Sequence, residues 1–281
     1  MADPFDFDQP ERYAVMGNPV AHSKSPRIHK AFAAQFGERI DYGAIQVDVG
    51  GFAQAVEQFR AHGGKGLNVT VPFKQEAFRL ADHVSERAQV AQAVNTLKFE
   101  ADGRVFGDNT DGAGLVHDLT RNLNLHLKGR RILILGAGGA VRGVLAPLLK
   151  QNPALIVIAN RTVSRAKEMV RAFAHHGTLE AVGFDGLKGR HFDLVINGTA
   201  ASLAGEVPPL PETVFANRAT AYDMMYGDKA RPFIDWSILH GAEQAVDGLG
   251  MLVEQAAESF LLWRGKRPET RAVIEMLRKE G

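Results

Sequence analysis

Polar side chains stand at the end of a strongly apolar stretch near residue 70. The run "LNVTV" has the β-branched, uncharged composition of a buried strand, yet it contains Asn68 and Thr70, and Lys74 follows it within "PFK". Buried polar groups cost free energy unless something pairs with them. Amide, hydroxyl and ammonium groups at the mouth of an apolar strand therefore indicate a place where a polar ligand binds.

Three other stretches carry similar groups next to predicted strands. "GNPVAHSKSP" has Ser23 and Ser25 ahead of a helix, where hydroxyls can bind a small anion such as a carboxylate. "AVNTLKF" supplies Asn95, and "GDNTDGAG" supplies Asp108 and Asp111. Taken singly, Ser25 is interpreted as a plain helix N-cap. Each aspartate, taken singly, has a structural turn or cap role as readily as a functional one. Taken together, they lie at strand ends, where open α/β sheets bind ligands, and a lysine and a carboxylate among hydroxyl-binding groups suggest a polyol acid.

A glycine-rich turn forms the second motif. "ILILGAGGAVRG" runs from an apolar strand through Gly136, Gly138 and Gly139 into a helix. Backbone N–H groups in such a turn, with the helix N-terminus, bind a pyrophosphate. The spacing is a variant, because Val141 stands where the standard motif has glycine and Gly143 comes two residues later. The context nevertheless predicts a dinucleotide site.

The end of the next strand indicates which dinucleotide binds. "IVIANRTVSR" has no carboxylate to bond a ribose 2′-OH, and it offers Arg161 and Arg165 instead. Guanidinium groups pair well with phosphate, whereas cations at a helix N-terminus are otherwise mildly unfavourable. Two solvated arginines are the alternative. We predict NADP(H), bound at a 2′-phosphate.

Strand and helix patterns alternate along almost the whole chain, which predicts an α/β fold with parallel sheets. One helix is expected over "SPRIHKAFAAQFG", with Ser25 as N-cap and glycine at its end. Two short β runs flank Asp102-Gly103 and predict a hairpin. A second series of near-continuous apolar strands starts at "RRILIL", as in a sheet covered on both faces.

Composition restricts the function. The 281 residues suggest two domains, and 45% hydrophobic residues with a formal net charge of +1 give no electrostatic case for nucleic acid or a membrane surface. There are no cysteines, and the ten histidines lack metal-ligand spacing, so no metal site is expected. The acidic start, "MADPFDFDQPER", lacks the regions of a signal peptide and is expected to be a short mobile extension. We expect a cytoplasmic protein, monomeric or homodimeric.

The ordered set "GNPVAHSKSP", "NVTVPFK", "AVNTL", "GDNTDG", "GAGGA", "NRTVSR", "YDMMY" and "DGLGMLVEQAA" resembles the shikimate dehydrogenase family, in its NADP-dependent form. These blocks extend from Ala14 to about Trp263, nearly the whole chain. The resemblance implies reversible reduction of 3-dehydroshikimate to shikimate with NADPH, a step of chorismate and aromatic amino-acid biosynthesis. One departure is "NGTAAS", where family members often have "NATSSG"; Ala200 and Ala201 replace two serines beside the cofactor, with altered contacts expected.

The resemblance also implies roles for individual residues. Lys74 is expected to transfer the proton, coupled to Asp111. The expected substrate-binding residues are Ser23, Ser25, Asn68, Thr70, Lys74, Asn95, Asp111, Tyr226 and Gln255. The expected cofactor-binding residues are Glu86, Gly136, Ala137, Gly138, Gly139, Ala140, Asn160, Arg161, Thr162, Arg165, Met224, Gly248 and Met251.

The order of the motifs predicts a discontinuous architecture. A substrate-binding and catalytic α/β domain is expected over residues 1–111 and 248–281, with a Rossmann-type NADP-binding domain over residues 112–247 and the site in the cleft between them. Two alternatives stay open. One is a quinate/shikimate dehydrogenase with another cyclohexane polyol acid as substrate. The other is a non-catalytic NADP-binding sensor on the same fold, although such a protein is expected to have lost Lys74 or Asp111.

Overall fold

The computed structural model describes residues 10–279. The predicted acidic extension therefore lies largely outside the described residues. The chain divides into two compact units. Unit one takes the described residues up to Thr110 together with Gln255–Leu277, and unit two takes Asp111–Glu254 and the described residues from Arg278 onward. Each unit holds one six-stranded sheet with helices, which confirms the predicted α/β class with two domains.

Unit one is built on a mixed sheet of strand order β2-β1-β3-β5-β6-β4. Its strands are β1 (Glu11–Gly17), β2 (Ile40–Gln46), β3 (Gly64–Val69), β4 (His83–Val84), β5 (Thr96–Phe99) and β6 (Val105–Asp108). Its helices are α1 (Ser25–Gln35), α2 (Phe52–Ala61), α3 (Lys74–Leu80) and α4 (Glu86–Ala91). β1 pairs in parallel with β2 and β3, whereas β5 runs antiparallel to both β3 and β6. The β5–β6 pairing confirms the predicted hairpin.

Helix α1 begins one residue earlier than predicted. Ser25 is its first residue rather than its N-cap, and the N-cap position falls on Lys24, whose side chain makes no capping hydrogen bond. The Ser25 backbone N–H donates instead to the Ser23 hydroxyl, 3.2 Å away. The N-cap prediction was therefore wrong, because the preceding serine supplies the oxygen. The helix ends before Gly37, whose φ of +66° is accessible to glycine at little cost.

Unit two contains an all-parallel sheet of order β12-β11-β10-β7-β8-β9. Its strands are β7 (Arg131–Leu135), β8 (Leu155–Ala159), β9 (Leu179–Val182), β10 (Phe192–Asn197), β11 (Phe215–Asp223) and β12 (Gln244–Val246). Its helices are α5 (Asp111–His117), α6 (Gly139–Leu149), α7 (Val163–Phe173) and α8 (Arg231–Leu239). Leu133 in β7, Val157 in β8 and Val195 in β10 are fully buried, as expected for a sheet covered on both faces.

Two further helices close the chain. α9 (Leu249–Arg264) contributes its residues from Gln255 onward to unit one, and α10 (Arg271–Arg278) follows it. In unit two, a π-helical turn over Asp118–Asn122 continues α5. The boundaries predicted at residues 111 and 248 stay a prediction; the compact units change at 110/111 and 254/255.

Candidate functional site

The polar strand ends of unit one meet in a buried amide and hydroxyl cluster. Asn95 lies directly before β5, and its Oδ1 accepts the Thr110 backbone N–H at 2.9 Å and the Thr96 hydroxyl at 2.9 Å. Its Nδ2 donates to the Thr110 hydroxyl at 2.9 Å and to Gln255 Oε1 at 3.3 Å. Asn95 is 3% exposed, so these bonds offset the cost of burying its amide. The structure thus joins two of the predicted substrate-binding residues, Asn95 and Gln255.

Asn68 belongs to the same cluster. Its Oδ1 accepts the Tyr42 hydroxyl at 2.6 Å, and its Nδ2 lies 3.0 Å from Ser259 Oγ and 3.2 Å from Thr96 Oγ1. The Asn68 amide of the apolar strand β3 therefore has protein partners without a bound ligand. Sequence reasoning missed Tyr42 and Ser259, which lie outside the quoted motifs, and Thr96, which lies inside "AVNTL" but directly beside the more conspicuous Asn95.

Aromatic rings lie behind Asn68. His29 stacks on Tyr42 with 4.5 Å between ring centroids and 7° between planes, and it also contacts Trp263 at 5.2 Å. His29 is fully buried, and its side chain lies beside the Asn68 amide. Burial lowers the pKa of His29 to about 3 and raises the pKa of Tyr42 well above its ordinary value. Both side chains are therefore uncharged at neutral pH, and the wall behind the amide carries no charge.

The remaining predicted residues of unit one lie in α1, in the segment that joins β3 to α3, and at the start of α3. Ser25 is buried, and its hydroxyl bonds the Tyr42 side chain. Thr70 directly follows β3, and a cis Val71–Pro72 peptide separates it from α3. Lys74 is the first residue of α3, and its carbonyl accepts the Val94 N–H at 2.9 Å, which ties it to the residue before Asn95.

Asp108 has a structural role, which decides one alternative left open by the sequence. Its carboxylate accepts two bonds from the Arg87 guanidinium, at 2.7 and 2.5 Å, and one from the Ser85 hydroxyl. Glu86, which lies between Ser85 and Arg87 in the chain, is the exposed first residue of α4. Glu86 belongs to unit one, so the structure does not group it with the other predicted cofactor residues.

The glycine-rich turn of unit two fits a nucleotide phosphate. Gly136 has φ +101°, and a Cβ there would lie 3.0 Å from the Gly198 carbonyl oxygen, so only glycine suits this position. A Cβ on Gly138 or Gly139 would meet no heavy atom within 4 Å. Gly138, Gly139 and Ala140 are exposed at the N-terminus of the eleven-residue helix α6, whereas Ala137 is half-buried. The backbone N–H groups of this helix end are open to an anion.

The residues predicted to bind the 2′-phosphate follow β8. This strand pairs with β7, and β7 ends directly before the glycine-rich turn. Asn160 Nδ2 donates to the Thr162 carbonyl at 2.8 Å and shapes the connection to α7. Arg161 and Arg165 are exposed, and no carboxylate occurs between Asn160 and Arg165. Exposed guanidinium groups at this strand end fit a phosphate and not a bare ribose hydroxyl pair.

A buried carboxylate that the sequence did not reveal organises the next two strand ends. Asp223 is fully buried; its Oδ2 accepts from Asn197 Nδ2 at 2.9 Å and from the Ser202 hydroxyl at 2.7 Å. Its Oδ1 accepts the Met225 N–H at 2.8 Å. Burial raises the pKa of Asp223, opposed by these hydrogen bonds. The loop after β10 and the "YDMMY" turn are therefore held together by one carboxylate.

The other residues predicted on this side lie near that turn. The Met224 N–H donates to the Asn197 carbonyl, and a Cβ on Gly248 would lie 2.5 Å from the Met224 carbonyl oxygen. Tyr226 is half-buried, and burial raises its pKa. Met251 is 8% exposed in the first turns of α9.

Asp111 is the first residue of α5 and of unit two, and it is 8% exposed. Lys74 belongs to unit one, so their predicted coupling stays a prediction. In residues 10–279, no helix is long and apolar enough to span a bilayer. Over the same described range, no group of three His, Asp or Glu side chains is arranged to hold a metal ion.

Comparison with known proteins agrees with this geometry. Three family profiles match the chain: the shikimate dehydrogenase substrate binding domain over residues 15–97, shikimate/quinate 5-dehydrogenase over residues 118–205, and the shikimate 5′-dehydrogenase C-terminal domain over residues 248–278. A shikimate dehydrogenase (NADP(+)) from Alkalilimnicola ehrlichii is 61% identical over 270 residues, covering 96% of this chain and 99% of the relative.

Solved structures show the same likeness. An enzyme named Ael1 from Pseudomonas putida is 49% identical, with a TM-score of 0.89 and coverage of 95% of this chain and 98% of its own. A shikimate 5-dehydrogenase from Thermus thermophilus, solved in complex with NADP(H) and shikimate, is 32% identical with a TM-score of 0.84, covering 96% and 99%. On the strength of identity over nearly its full length, this chain belongs to the shikimate dehydrogenase family.

Proposed function

We propose that the protein catalyses the reversible, NADP-dependent reduction of 3-dehydroshikimate to shikimate, a step of chorismate and aromatic amino-acid biosynthesis. The observation that carries this proposal is the 61% identity, over 96% of the chain, to a protein named shikimate dehydrogenase (NADP(+)). The amide and hydroxyl cluster of unit one and the exposed arginines of unit two agree with a polyol substrate and a phosphorylated ribose.

The substrate-binding roles proposed here follow the chemistry of each group. Ser23 and Ser25 bind the carboxylate through their hydroxyls. Asn68 and Asn95 bind ring hydroxyls from the buried cluster, whose hydrogen bonds hold both amides in place before substrate arrives. Binding groups that are already ordered lose little conformational freedom when the substrate binds.

The other members of the proposed substrate set are assigned by the same family pattern. Thr70 and Gln255 bind ring hydroxyls, and Tyr226 borders the substrate from the turn after β11. Gln255 accepts a hydrogen bond from Asn95, so its side-chain direction is coupled to the cluster.

The cofactor is proposed to bind at unit two. The turn over Gly136–Ala140 receives the pyrophosphate, and Asn160, Arg161, Thr162 and Arg165 surround the 2′-phosphate. Met224, Gly248 and Met251 border the nicotinamide, and Glu86 borders the cofactor from unit one. When bound, NADPH supplies the hydride for the ring ketone.

Lys74 is proposed to supply the proton. Reduction of a ketone places negative charge on the oxygen, and a lysinium near that oxygen stabilises the charge and then donates a proton to it. Asp111 is proposed to favour the charged form of the lysine. We also propose that the protein acts in the cytoplasm, as a monomer or homodimer, with small molecules and not nucleic acid or membrane as partners.

The test follows NADPH absorbance with purified protein and 3-dehydroshikimate, with NADH and 3-dehydroquinate in parallel. Fast oxidation of NADPH with 3-dehydroshikimate alone supports the proposal. Preference for 3-dehydroquinate or NADH would place the protein in the quinate class, and no turnover by folded, NADPH-binding protein would favour the sensor.

Lys74→Ala tests the proton role in the same assay. We expect turnover to fall by ~10²-fold, the usual effect of losing an acid–base group, with the KM for 3-dehydroshikimate changed much less. Normal turnover with weakened substrate binding would make Lys74 a binding residue only. Lys65→Ala, at an exposed position in β3, is the matched control.

A further inference from the structure

One backbone N–H fixes the direction of the Asn95 amide. The Thr110 N–H lies 2.9 Å from Asn95 Oδ1 and can only donate, so the atom facing it must be the amide oxygen. The Thr96 hydroxyl lies 2.9 Å from the same oxygen and can bond it only by donating its hydrogen. The Asn95 NH2 group is thereby turned toward Gln255, whose Oε1 accepts from it.

The direction of the Asn68 amide follows from that of Asn95. A hydroxyl has one hydrogen, and Thr96 has committed its own to Asn95. Thr96 Oγ1 therefore acts only as an acceptor toward Asn68 Nδ2, at 3.2 Å. Asn68 is thus held with its NH2 toward Thr96 and its oxygen toward the Tyr42 hydroxyl, which donates to it.

Ser259 on α9 adds a second acceptor. Its Oγ lies 3.0 Å from Asn68 Nδ2 and 2.8 Å from Thr96 Oγ1, and it can donate either to Thr96 or to the Gln255 carbonyl at 3.1 Å. With either donor bond its lone pairs face the Asn68 NH2 group. Thr96 and Ser259 are both fully buried, so neither touches a substrate.

We propose that Thr96 and Ser259 are positioning residues that set the hydrogen-bond polarity of the substrate site. Through them, Asn68 keeps its NH2 group inside the cluster and offers its oxygen to the substrate as an acceptor. A ring hydroxyl at Asn68 then donates its hydrogen to that oxygen, whereas Asn95 has both amide hydrogens bonded within the cluster, to Thr110 and Gln255. This inference rests on the proposed function, because it assigns a direction to the amides proposed there to bind the substrate.

The test compares Ser259→Ala and Thr96→Val with wild type, using steady-state kinetics and calorimetric binding of shikimate. Loss of either hydroxyl leaves the Asn68 NH2 group held by the other hydroxyl and, at 3.4 Å, by the Asn95 carbonyl. We expect this weaker hold to raise the KM for 3-dehydroshikimate and the Kd for shikimate roughly fivefold, the effect of one neutral hydrogen bond. The KM for NADPH is expected to stay within twofold. Thr96→Ser keeps the hydroxyl and is expected to restore substrate binding.

Ser237→Ala is the matched control. Ser237 is also a fully buried helical serine whose hydroxyl donates to the carbonyl four residues earlier, that of Phe233, at 2.7 Å, but it belongs to unit two. Both serine variants lose a buried hydroxyl, so similar losses of thermal stability are expected, with the KM changed only in Ser259→Ala.

The outcomes separate the two proposals. Wild-type protein that does not reduce 3-dehydroshikimate overturns the proposed function and this inference with it. Wild-type turnover with unchanged substrate KM in Ser259→Ala and in Thr96→Val overturns the inference alone. If Ser259→Ala does not fold, the pair Thr96→Val and Thr96→Ser decides, since only the hydroxyl distinguishes their effect on the amide.

Discussion

Gly250 marks a place in unit two where one added methyl group meets a buried carboxylate. An ideal Cβ on this α9 residue would lie 2.0 Å from Asp118 Oδ1 and 2.3 Å from its Cγ. Asp118 is 4% exposed and accepts the Tyr222 hydroxyl at 2.7 Å and Asn122 Nδ2 at 2.9 Å. Burial raises the pKa of Asp118, so its charged form depends on these two donors. Gly250→Ala must displace the carboxylate from them.

The sign of the effect depends on one favourable and two unfavourable contributions to the free energy of unfolding. Alanine is a better helix former than glycine by about 1 kcal/mol, which favours the substitution. Overpacking a buried position costs about 1–3 kcal/mol. Weakening a hydrogen bond to a buried charged group costs about 1.5–3 kcal/mol more. Packing and hydrogen bonding outweigh propensity, and we expect Gly250→Ala to lower the free energy of unfolding by about 2–5 kcal/mol.

The assay is urea unfolding followed by far-UV circular dichroism. Gly43→Ala is the control, because a Cβ there meets no heavy atom within 4 Å and the midpoint should change little. In an Asp118→Ala background the obstructing carboxylate is absent, so Gly250→Ala should cost much less than in wild type. A Gly250→Ala protein as stable as wild type, or an equal cost in both backgrounds, would refute this reasoning.

Three further outcomes are expected. His29 is buried and neutral with a pKa of about 3, whereas unfolded histidine binds a proton near pH 6.5, so its contribution to stability is lost as pH falls through that window, by up to ~1.4 kcal/mol per pH unit. Urea unfolding between pH 7 and 4 should show a flatter decline of stability for His29→Phe than for wild type, and an equal decline in both would contradict the burial of a neutral imidazole. Arg161→Ala should raise the KM for NADPH about tenfold and leave that for NADH within twofold, as expected for loss of a charge-assisted phosphate contact; equal effects on both cofactors would contradict the 2′-phosphate role. Asp223→Asn replaces one accepting oxygen by an NH2 group, which then faces the donating NH2 group of Asn197, and should lower the stability measured by thermal unfolding by about 2 kcal/mol. Unchanged thermal stability would contradict this.

The sequence predicted those strands and turns that a short, continuous stretch of residues specifies. Apolar runs followed by glycine or by a polar cluster located β3, β7 and the nucleotide turn, and the Asp102-Gly103 signal located the hairpin. The short strands β9 and β12 were not predicted, because they are only half-buried and lack an apolar run.

The hydrogen-bond partners of the site were not predictable in the same way. Thr96 and Ser259 are 163 residues apart, and a lone buried hydroxyl has no periodicity or spacing that distinguishes it from any other. The Tyr42 hydroxyl likewise shows no such pattern, and the position of Asp223 within "YDMMY" does not indicate that its carboxylate is buried. Motifs predicted which amides bind a ligand, but the direction in which they face depends on tertiary contacts that no local pattern contains.

The completion of unit one by Gln255–Leu277 has a consequence for biosynthesis. On the ribosome, Asn68 emerges 191 residues ahead of Ser259, so nearly the whole polypeptide is made before the amide acquires its second anchor. A chain that stops between residues 247 and 254 contains the whole parallel sheet but neither Gln255 nor Ser259. The hydrogen bonds that hold Asn68 to Ser259, and Asn95 to Gln255, therefore form only after α9 has been translated.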